Sequence, residues 1–285
     1  MQQVAVIGAA GKMGSWFTSY FSRRGLNVLA YDINQKMLKS SPNIKVQTSL
    51  VKCVQNADLV LVSVPVQKTP QAIKDCAKNM KDGAIIAEIS SVKSKTFAAL
   101  KKAPINLRPL CIHPMFGPGA TKKVGIRVVL VPVRNEKIEL QIAKEIFENA
   151  NVMVLPNAKQ HDKSIAIVLG VTYFANIVFA KVMLSGNISA LKQVSGTTFA
   201  LQSLLAESIF TEEPELVIAL IRENIYAKRY ISHYLKEAAA LEQLVIAKDS
   251  NGLKTELHGV KLRMQKRQDL QQSYIRMYEM IDKCK

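Results

Sequence analysis

Cysteine is scarce and unpatterned. Cys53, Cys76, Cys111 and Cys284 are the four in 285 residues, and none of their spacings suits a disulfide framework or a metal clip. That excludes a small cross-linked fold and predicts reduced thiols in a cytoplasmic protein with no bound metal. Histidine is as rare, with four residues. A basic, then apolar, leader is missing, because Gln2 and Gln3 run straight into Val4, Ala5, Val6 and Ile7; no signal peptide is expected. Internal repeats and low-complexity tracts are missing too.

Long apolar runs are nearly absent. The one exception is 165–184, which Asn176 and Lys181 interrupt and Gly170, Thr172 and Tyr173 dilute. Its uncharged core falls short of the ~18 apolar residues of a spanning helix, so no membrane is expected. A helix apolar nearly all round is expected at the buried centre of a helical domain.

Acidic residues are in short supply: 22 against 39 basic ones, a net charge of +17. The excess lies in the first half, where residues 1–156 hold 22 basic and 9 acidic side chains. It is spread over many elements without a compact stripe. This argues against nucleic acid and for a solvated basic surface, or for steering of a small anionic substrate.

What is present is concentrated in the first 32 residues. A short apolar strand ends at Ile7, and Gly8, Gly11 and Gly14 follow. Met13, Trp16, Phe17, Tyr20 and Phe21 then repeat at helical spacing. A second apolar strand leads to Asp32, 18 residues beyond Gly14. Glycines in such a first turn let a pyrophosphate approach the backbone, and open N–H groups at the helix start face it. Gly8, Gly11, Lys12, Met13 and Gly14 are therefore candidate dinucleotide contacts. Asp32 is placed to accept hydrogen bonds from ribose hydroxyls and would repel a 2′-phosphate, which favours NAD over NADP. The glycines run G-x-x-G-x-x-G, one residue longer than the commonest form, unless Ala9 opens an A-x-G-x-x-G.

Strand and helix patterns then alternate. Strands are expected at 44–46, 57–64, 84–89, 107–112, 127–133 and 152–155, and helices at 93–100 and 136–149, with another opened by Thr69-Pro70. This predicts an α/β fold: a doubly wound, Rossmann-type sheet over 1–156. From 157 to 285 the strand signal stops. Helices are expected at 164–184, 197–209, 214 to about 247, and 253–281. That all-helical domain carries more apolar surface than it can bury alone, so a homodimer is expected.

Ligands of open α/β sheets bind beyond the carboxyl ends of the strands. Three loops qualify: Val64-Pro65, Ser90 to Lys93, and His113 to Pro118. All three should converge near the nicotinamide end of a dinucleotide, with Val64 and Pro65 as further cofactor contacts. His113 stands where a strand exits into a loop. A neutral imidazole there can take a proton from a substrate hydroxyl as hydride leaves the same carbon; a structural histidine is the alternative. Ser91 suits a hydrogen bond to substrate, a brace for the His113 ring, or a helix N-cap. Lys93 is either a cation for a substrate carboxylate or a solvated side chain.

The motifs Gly11-Lys12-Met13-Gly14, Ser91-Val92-Lys93, His113-Pro114-Met115-Phe116-Gly117-Pro118, His161-Asp162 and Glu213-Pro214-Glu215-Leu216 together resemble the prephenate dehydrogenases of tyrosine biosynthesis, in order and spacing over nearly the whole chain. The resemblance implies NAD-dependent oxidation of prephenate to 4-hydroxyphenylpyruvate with loss of carbon dioxide. It implies that His113 acts on the ring hydroxyl, that Ser91 assists it, and that Lys93 lies in the active site. The sequence departs from that pattern in the helical half. Tyr173 stands where many members have a histidine, and Ala200 and Ser208 stand where they have carboxylate-binding arginines. Lys122, Lys123, Arg127 and Arg222 are substitute cations; otherwise the substrate differs, with arogenate or an amino-substituted prephenate as options. A hydroxyacid dehydrogenase using a lysine such as Lys181, and an NAD-responsive regulator without turnover, are the rival readings.

Overall fold

The computed structural model describes residues 1–120 and 126–282, which divide into two compact units: Met1–Ile165 with Ile218–Asn224, and Ala166–Val217 with Ile225–Lys285. Among the described residues the first unit holds an eight-stranded sheet in the order β3-β2-β1-β4-β5-β6-β7-β8. The strands are β1 (Gln3–Ile7), β2 (Asn27–Tyr31), β3 (Ile44–Val46), β4 (Leu59–Val62), β5 (Ile85–Glu88), β6 (Arg108–Pro114), β7 (Arg127–Leu130) and β8 (Asn151–Val154). All neighbouring pairs are parallel except β6 with β7. A parallel partner needs a crossover of a dozen or more residues, usually helical. The span 115–126 is at the lower limit for that, and β7 returns antiparallel, a reversal the alternation of patterns did not reveal.

The helices of this unit are α1 (Lys12–Arg23), α2 (Leu50–Val54), α3 (Thr69–Ala77), α4 (Ser94–Lys101), α5 (Glu136–Ile146) and α6 (Ala158–Ile165). They cover both faces of the sheet, which explains why β4 is apolar at every position and why the polar residues of β1, β5 and β6 fall at or near the strand ends. Val4, Val6, Leu59, Leu61, Leu110 and Ile112 pack in one layer with Phe17 and Phe21 of α1 and Ile142 and Ile146 of α5. Their neighbours Ala5, Ile7, Val60, Val62 and Cys111 pack in the other, with Ile73 of α3 and Leu100 of α4. Tyr20 adds a tie between α1 and the end of α5, its hydroxyl donating to the Ile146 carbonyl at 2.8 Å. Cys53, Cys76 and Cys111 are free and buried in the second layer, and burial pushes the thiols of Cys53 and Cys76 up to about 12. Cys284 lies outside the described residues.

The second unit is helical. It contains a π-helical turn at Ala166–Val171, then α7 (Thr172–Met183), α8 (Ile188–Gln193), α9 (Thr197–Ile209), α10 (Pro214–Ile218, its last residue in the first unit), α11 (Ala227–Ile246), α12 (Ser250–Gln265) and α13 (Leu270–Asp282). The single helix expected from residue 214 onward is thus broken after a second π turn, Ala219–Glu223. The helix expected at 253–281 is likewise two. Asp249 starts α12 by accepting a hydrogen bond from the Gly252 N–H at 2.9 Å.

The apolar run around residue 170 departs from expectation. The helix Ala158–Met183 is long and apolar enough to cross a membrane, with a mean hydropathy of 2.0, yet only 28% of that window is buried. It is therefore not the enclosed centre of its domain. Within the second unit its π turn packs on α11 and α7 packs on α9, which leaves Ile167, Val168, Val182 and Leu184 exposed.

The turn after β1 is fixed by close packing. Gly8 adopts φ +84°, a left-handed conformation that other residues avoid. A Cβ at Gly14 would strike the Gly8 carbonyl and stand 2.9 Å from the Ala9 Cα. Gly14→Ala is expected to lower stability by about 1–3 kcal/mol, read as a lower urea midpoint. A wild-type midpoint would show that the turn relaxes around a methyl group.

Candidate functional site

The first turn forms a cradle on the carboxyl side of the sheet. Gly11 precedes α1 without any side-chain cap, so the first-turn N–H groups stand at an end with no acid of its own. At Gly11 a Cβ would meet only the Gly8 oxygen, at 3.4 Å. The fold therefore does not require glycine there, and the side chain it lacks leaves room for a phosphate to approach. Asp32 follows β2 directly. Its two oxygens accept the N–H groups of Ala10, at 3.0 Å, and Asn34, at 2.9 Å. A carboxylate has about four acceptor positions, so capacity remains for ribose hydroxyls. Val64 packs beside this turn, its Cγ1 lying 3.0 Å from the position of a Gly8 Cβ, and Pro65 is exposed. These residues fit a dinucleotide.

The chemistry-bearing side chains gather at the adjoining ends of β5 and β6. His113 lies within β6, paired with Val129 of β7, because the antiparallel return extends the strand to Pro114. The expected loop start is thus a strand position, which holds the ring more firmly. His113 is 4% exposed. Its Nδ1 lies 3.0 Å from Nε2 of His161, and Nδ1 of His161 lies 2.9 Å from Oδ1 of Asp162. Nε2 of His113 has no hydrogen-bond partner among the described residues. It is also not among the sealed polar atoms, since Thr18 Oγ1 is the buried side-chain atom found without a partner. Burial, then His161 and Lys93, hold the His113 pKa well below its usual value, so the ring is neutral.

Lys93 corrects both expectations for it. Its side chain is 0% exposed, hence not solvated. Its ammonium donates to Glu88 Oε1 at 2.6 Å and to the Ile112 carbonyl at 2.5 Å, which turns it away from duty as a free cation for substrate. Glu88 also accepts Ser90 N–H at 2.9 Å and Cys111 Sγ at 3.0 Å. Ser91 is not the N-cap of α4. That place is filled from a distant segment: Asp162 accepts the N–H groups of Lys93, at 2.7 Å, and Ser94, at 2.8 Å, together with the Ser94 hydroxyl. Nor does Ser91 brace the His113 ring, since His161 holds its Nδ1. Ser91 is half-buried and makes no hydrogen bond among the described residues.

The remaining sequence candidates lie on different elements. Arg222 is exposed on the π turn that belongs to the first unit. Arg127 is exposed on β7, its carbonyl accepting Met115 N–H at 2.8 Å. Lys122 and Lys123 lie outside the described residues. Tyr173 belongs to the second unit, where burial, then Glu212, raises its phenol pKa. His161 and Asp162 were singled out only as a dipeptide within a resemblance. Their role as partners of His113 and α4 has no local signal, because 48 and 68 residues separate His161 from His113 and Asp162 from Ser94.

A family model described as prephenate dehydrogenase, nucleotide-binding domain, matches residues 18–171, and one described as prephenate dehydrogenase, dimerization domain, matches residues 157–259. A probable arogenate/prephenate dehydrogenase of Methanocaldococcus jannaschii is 25% identical over 262 residues, covering 87% of this chain and 58% of the relative. A 4-amino-4-deoxyprephenate dehydrogenase of Streptomyces pristinaespiralis is 25% identical over 180 residues, covering 61% and 60%. The chain spans about three-fifths of the length of the curated relatives it matches. The crystal structure of prephenate dehydrogenase from A. aeolicus, in complex with hydroxyphenyl propionate and NAD+, has the same fold, with a TM-score of 0.74, 21% identity, and coverage of 94% of this chain and 99% of that one.

Two outcomes follow from the site. Removing one partner of a buried ion pair leaves the other charge without compensation, so Lys93→Met should cost about 3–5 kcal/mol, measured by urea denaturation. An unchanged midpoint would mean that the Lys93–Glu88 pair does not hold the fold together. Neutral His113 and His161, both with lowered pKa values, bind protons only after the unfolded chain has done so. Their contribution is intact above about pH 6.5 and is lost as pH falls from there toward their folded values. Stability should therefore drop between pH 7 and pH 5, and His113→Gln should flatten that slope.

Proposed function

The chain belongs to the prephenate dehydrogenase family, and on that premise we propose that it oxidises prephenate, or a close analogue of it, with NAD as the acceptor. The observation that carries this reading is a neutral, buried imidazole with an unpartnered Nε2, set on the same unit as the glycine cradle. NAD, when bound, supplies the hydride acceptor; Gly8, Gly11, Gly14 and Asp32 would hold it.

His113 accepts the ring hydroxyl proton at Nε2 as hydride leaves that ring carbon. The electron pair of the O–H bond becomes the carbonyl bond; loss of the ring carboxylate as carbon dioxide then leaves its bonding pair to the ring, which becomes an aromatic phenolate and takes a proton back. A base positioned this way contributes about 10²–10⁴-fold. Ser91 makes no hydrogen bond among the described residues and suits the substrate hydroxyl. The unit matching the dimerization domain supports a homodimer.

Arogenate or an amino-substituted prephenate is the second reading, supported by the similarity to a probable arogenate/prephenate dehydrogenase and to a 4-amino-4-deoxyprephenate dehydrogenase. Lys181 is exposed, in the second unit, and carries no comparable case for a hydroxyacid dehydrogenase.

Reduced-nicotinamide absorbance with NAD and each of the three substrates tests the reading directly. At least one should turn over, and His113→Asn should lower kcat by about 10²-fold or more while NAD still binds by fluorescence titration. Turnover unchanged in His113→Asn would remove the histidine from the mechanism. Gly11→Ala should weaken NAD binding at least tenfold while stability changes by no more than about 1 kcal/mol; equal affinity would place the phosphates elsewhere.

A further inference from the structure

The base assigned to His113 leaves a second buried histidine, His161, without an explanation. Its exposure is 0%, as is that of Lys93, and Asp162 is 1% exposed. Polar groups sealed in this way need partners: the Lys93 ammonium finds Glu88 and the Ile112 carbonyl, whereas Asp162 and His161 form a chain of hydrogen bonds that runs to His113.

The order of protons along that chain follows from its fixed end. Asp162 is an ionised carboxylate: burial raises its pKa, but bonds from His161, Ser94 and the Lys93 N–H outweigh this and leave it below the usual value. An ionised carboxylate only accepts, so the His161 nitrogen facing it, Nδ1, carries hydrogen. His161 is neutral, because burial, together with Lys93, outweighs Asp162 and Glu88 and leaves its pKa below the usual value. Its Nε2 is then a lone pair. That lone pair faces Nδ1 of His113 at 3.0 Å, which must therefore carry hydrogen, and the lone pair of His113 is left at Nε2. The carboxylate itself cannot turn. It is held by the two N–H groups at the start of α4 and by the Ser94 hydroxyl, while the backbone carbonyl of Asp162 accepts from Asn224 Nδ2 at 2.8 Å.

We propose that His161 and Asp162 are positioning residues that set the tautomer of His113 and then receive its displaced proton. The proposal rests on the reading of His113 as the base. In the step, the substrate hydroxyl proton goes to His113 Nε2, and the Nδ1 proton of His113 passes to His161 Nε2. Two N–H bonds form, one O–H and one N–H bond break, and the nitrogen lone pairs exchange accordingly. His161 ends protonated on both nitrogens against the Asp162 carboxylate. The charged groups around the pair are Asp162 on α6, Lys93 at the start of α4 and Glu88 at the end of β5. Lys93 disfavours positive charge on both rings, whereas Asp162 touches only His161. The charge therefore settles on the second ring, away from the substrate.

Nitrogen-15 histidine spectra of the full chain at neutral pH, without substrate, test the resting order of protons. His113 should show a protonated Nδ1 and an unprotonated Nε2; the opposite pattern overturns the proposal. His161→Gln offers a carbonyl acceptor that keeps this tautomer but takes no proton. It should retain the His113 signature and lose about 10-fold or more in kcat, with KM for NAD unchanged. His161→Phe should lose both the signature and the rate. Wild-type kcat in both variants, with the signature unaltered in His161→Phe, would make His161 a packing residue. The spectra require no turnover. A correct signature in a protein inactive on all three substrates would uphold the tautomer chain and sink the dehydrogenase reading, while turnover with a reversed signature would do the converse.

Discussion

A lysine ammonium with no access to water sits under this site. Lys93 meets Glu88 and the Ile112 carbonyl with its side chain, and Asp162 with its backbone N–H. One residue thus joins the ends of β5 and β6 to α6. Burying two charges is expensive, and an apolar pair of similar volume is often as stable. What an apolar pair would not supply is direction. The ammonium fixes the carbonyl just before His113, and the same residue's N–H fixes the carboxylate that holds His161. The imidazoles are aligned from behind, and their positive forms are disfavoured by the nearby cation.

The cradle and the imidazole are joined by the sheet. β1 and β6 are separated only by β4 and β5 in the strand order, and both faces of all four are sealed by helices. A strand buried on both faces leaves its ends as the place where polar side chains can be presented. The glycine turn after β1, Val64 after β4, the 88–93 segment after β5 and His113 at the end of β6 share one edge for this reason. Gly14 is demanded by the packing of the turn on itself, Gly11 by nothing among the described residues. That difference separates a glycine kept for the fold from one suited to a ligand.

The helical unit has a different physical character. Large apolar side chains remain exposed along it, among them Val182, Leu184, Leu205, Phe210, Val245 and Ile246. Surface of this kind is the usual mark of a contact made with another chain. It agrees with the match of residues 157–259 to a dimerization domain, and it explains why the helix through Val171 is apolar all round without being enclosed.

Sequence alone determined whatever depends on neighbours in the chain. Strand, glycine turn, helix and acid succeed one another within 32 residues, so periodicity and turn chemistry were enough to read the cradle, and the apolar runs marked all eight strands. The reversal of β7, the breaks after residues 223 and 265, and the exposure of the long apolar helix were decided elsewhere, by how far a short connection reaches and by which neighbours arrive. The site divided in the same way. His113 was legible because it ends a strand, whereas the direction of Lys93, the capping of α4 by Asp162 and the pairing of His113 with His161 depend on side chains brought together across dozens of residues. Charge burial and hydrogen-bond direction are properties of that gathering, and no local pattern encodes them.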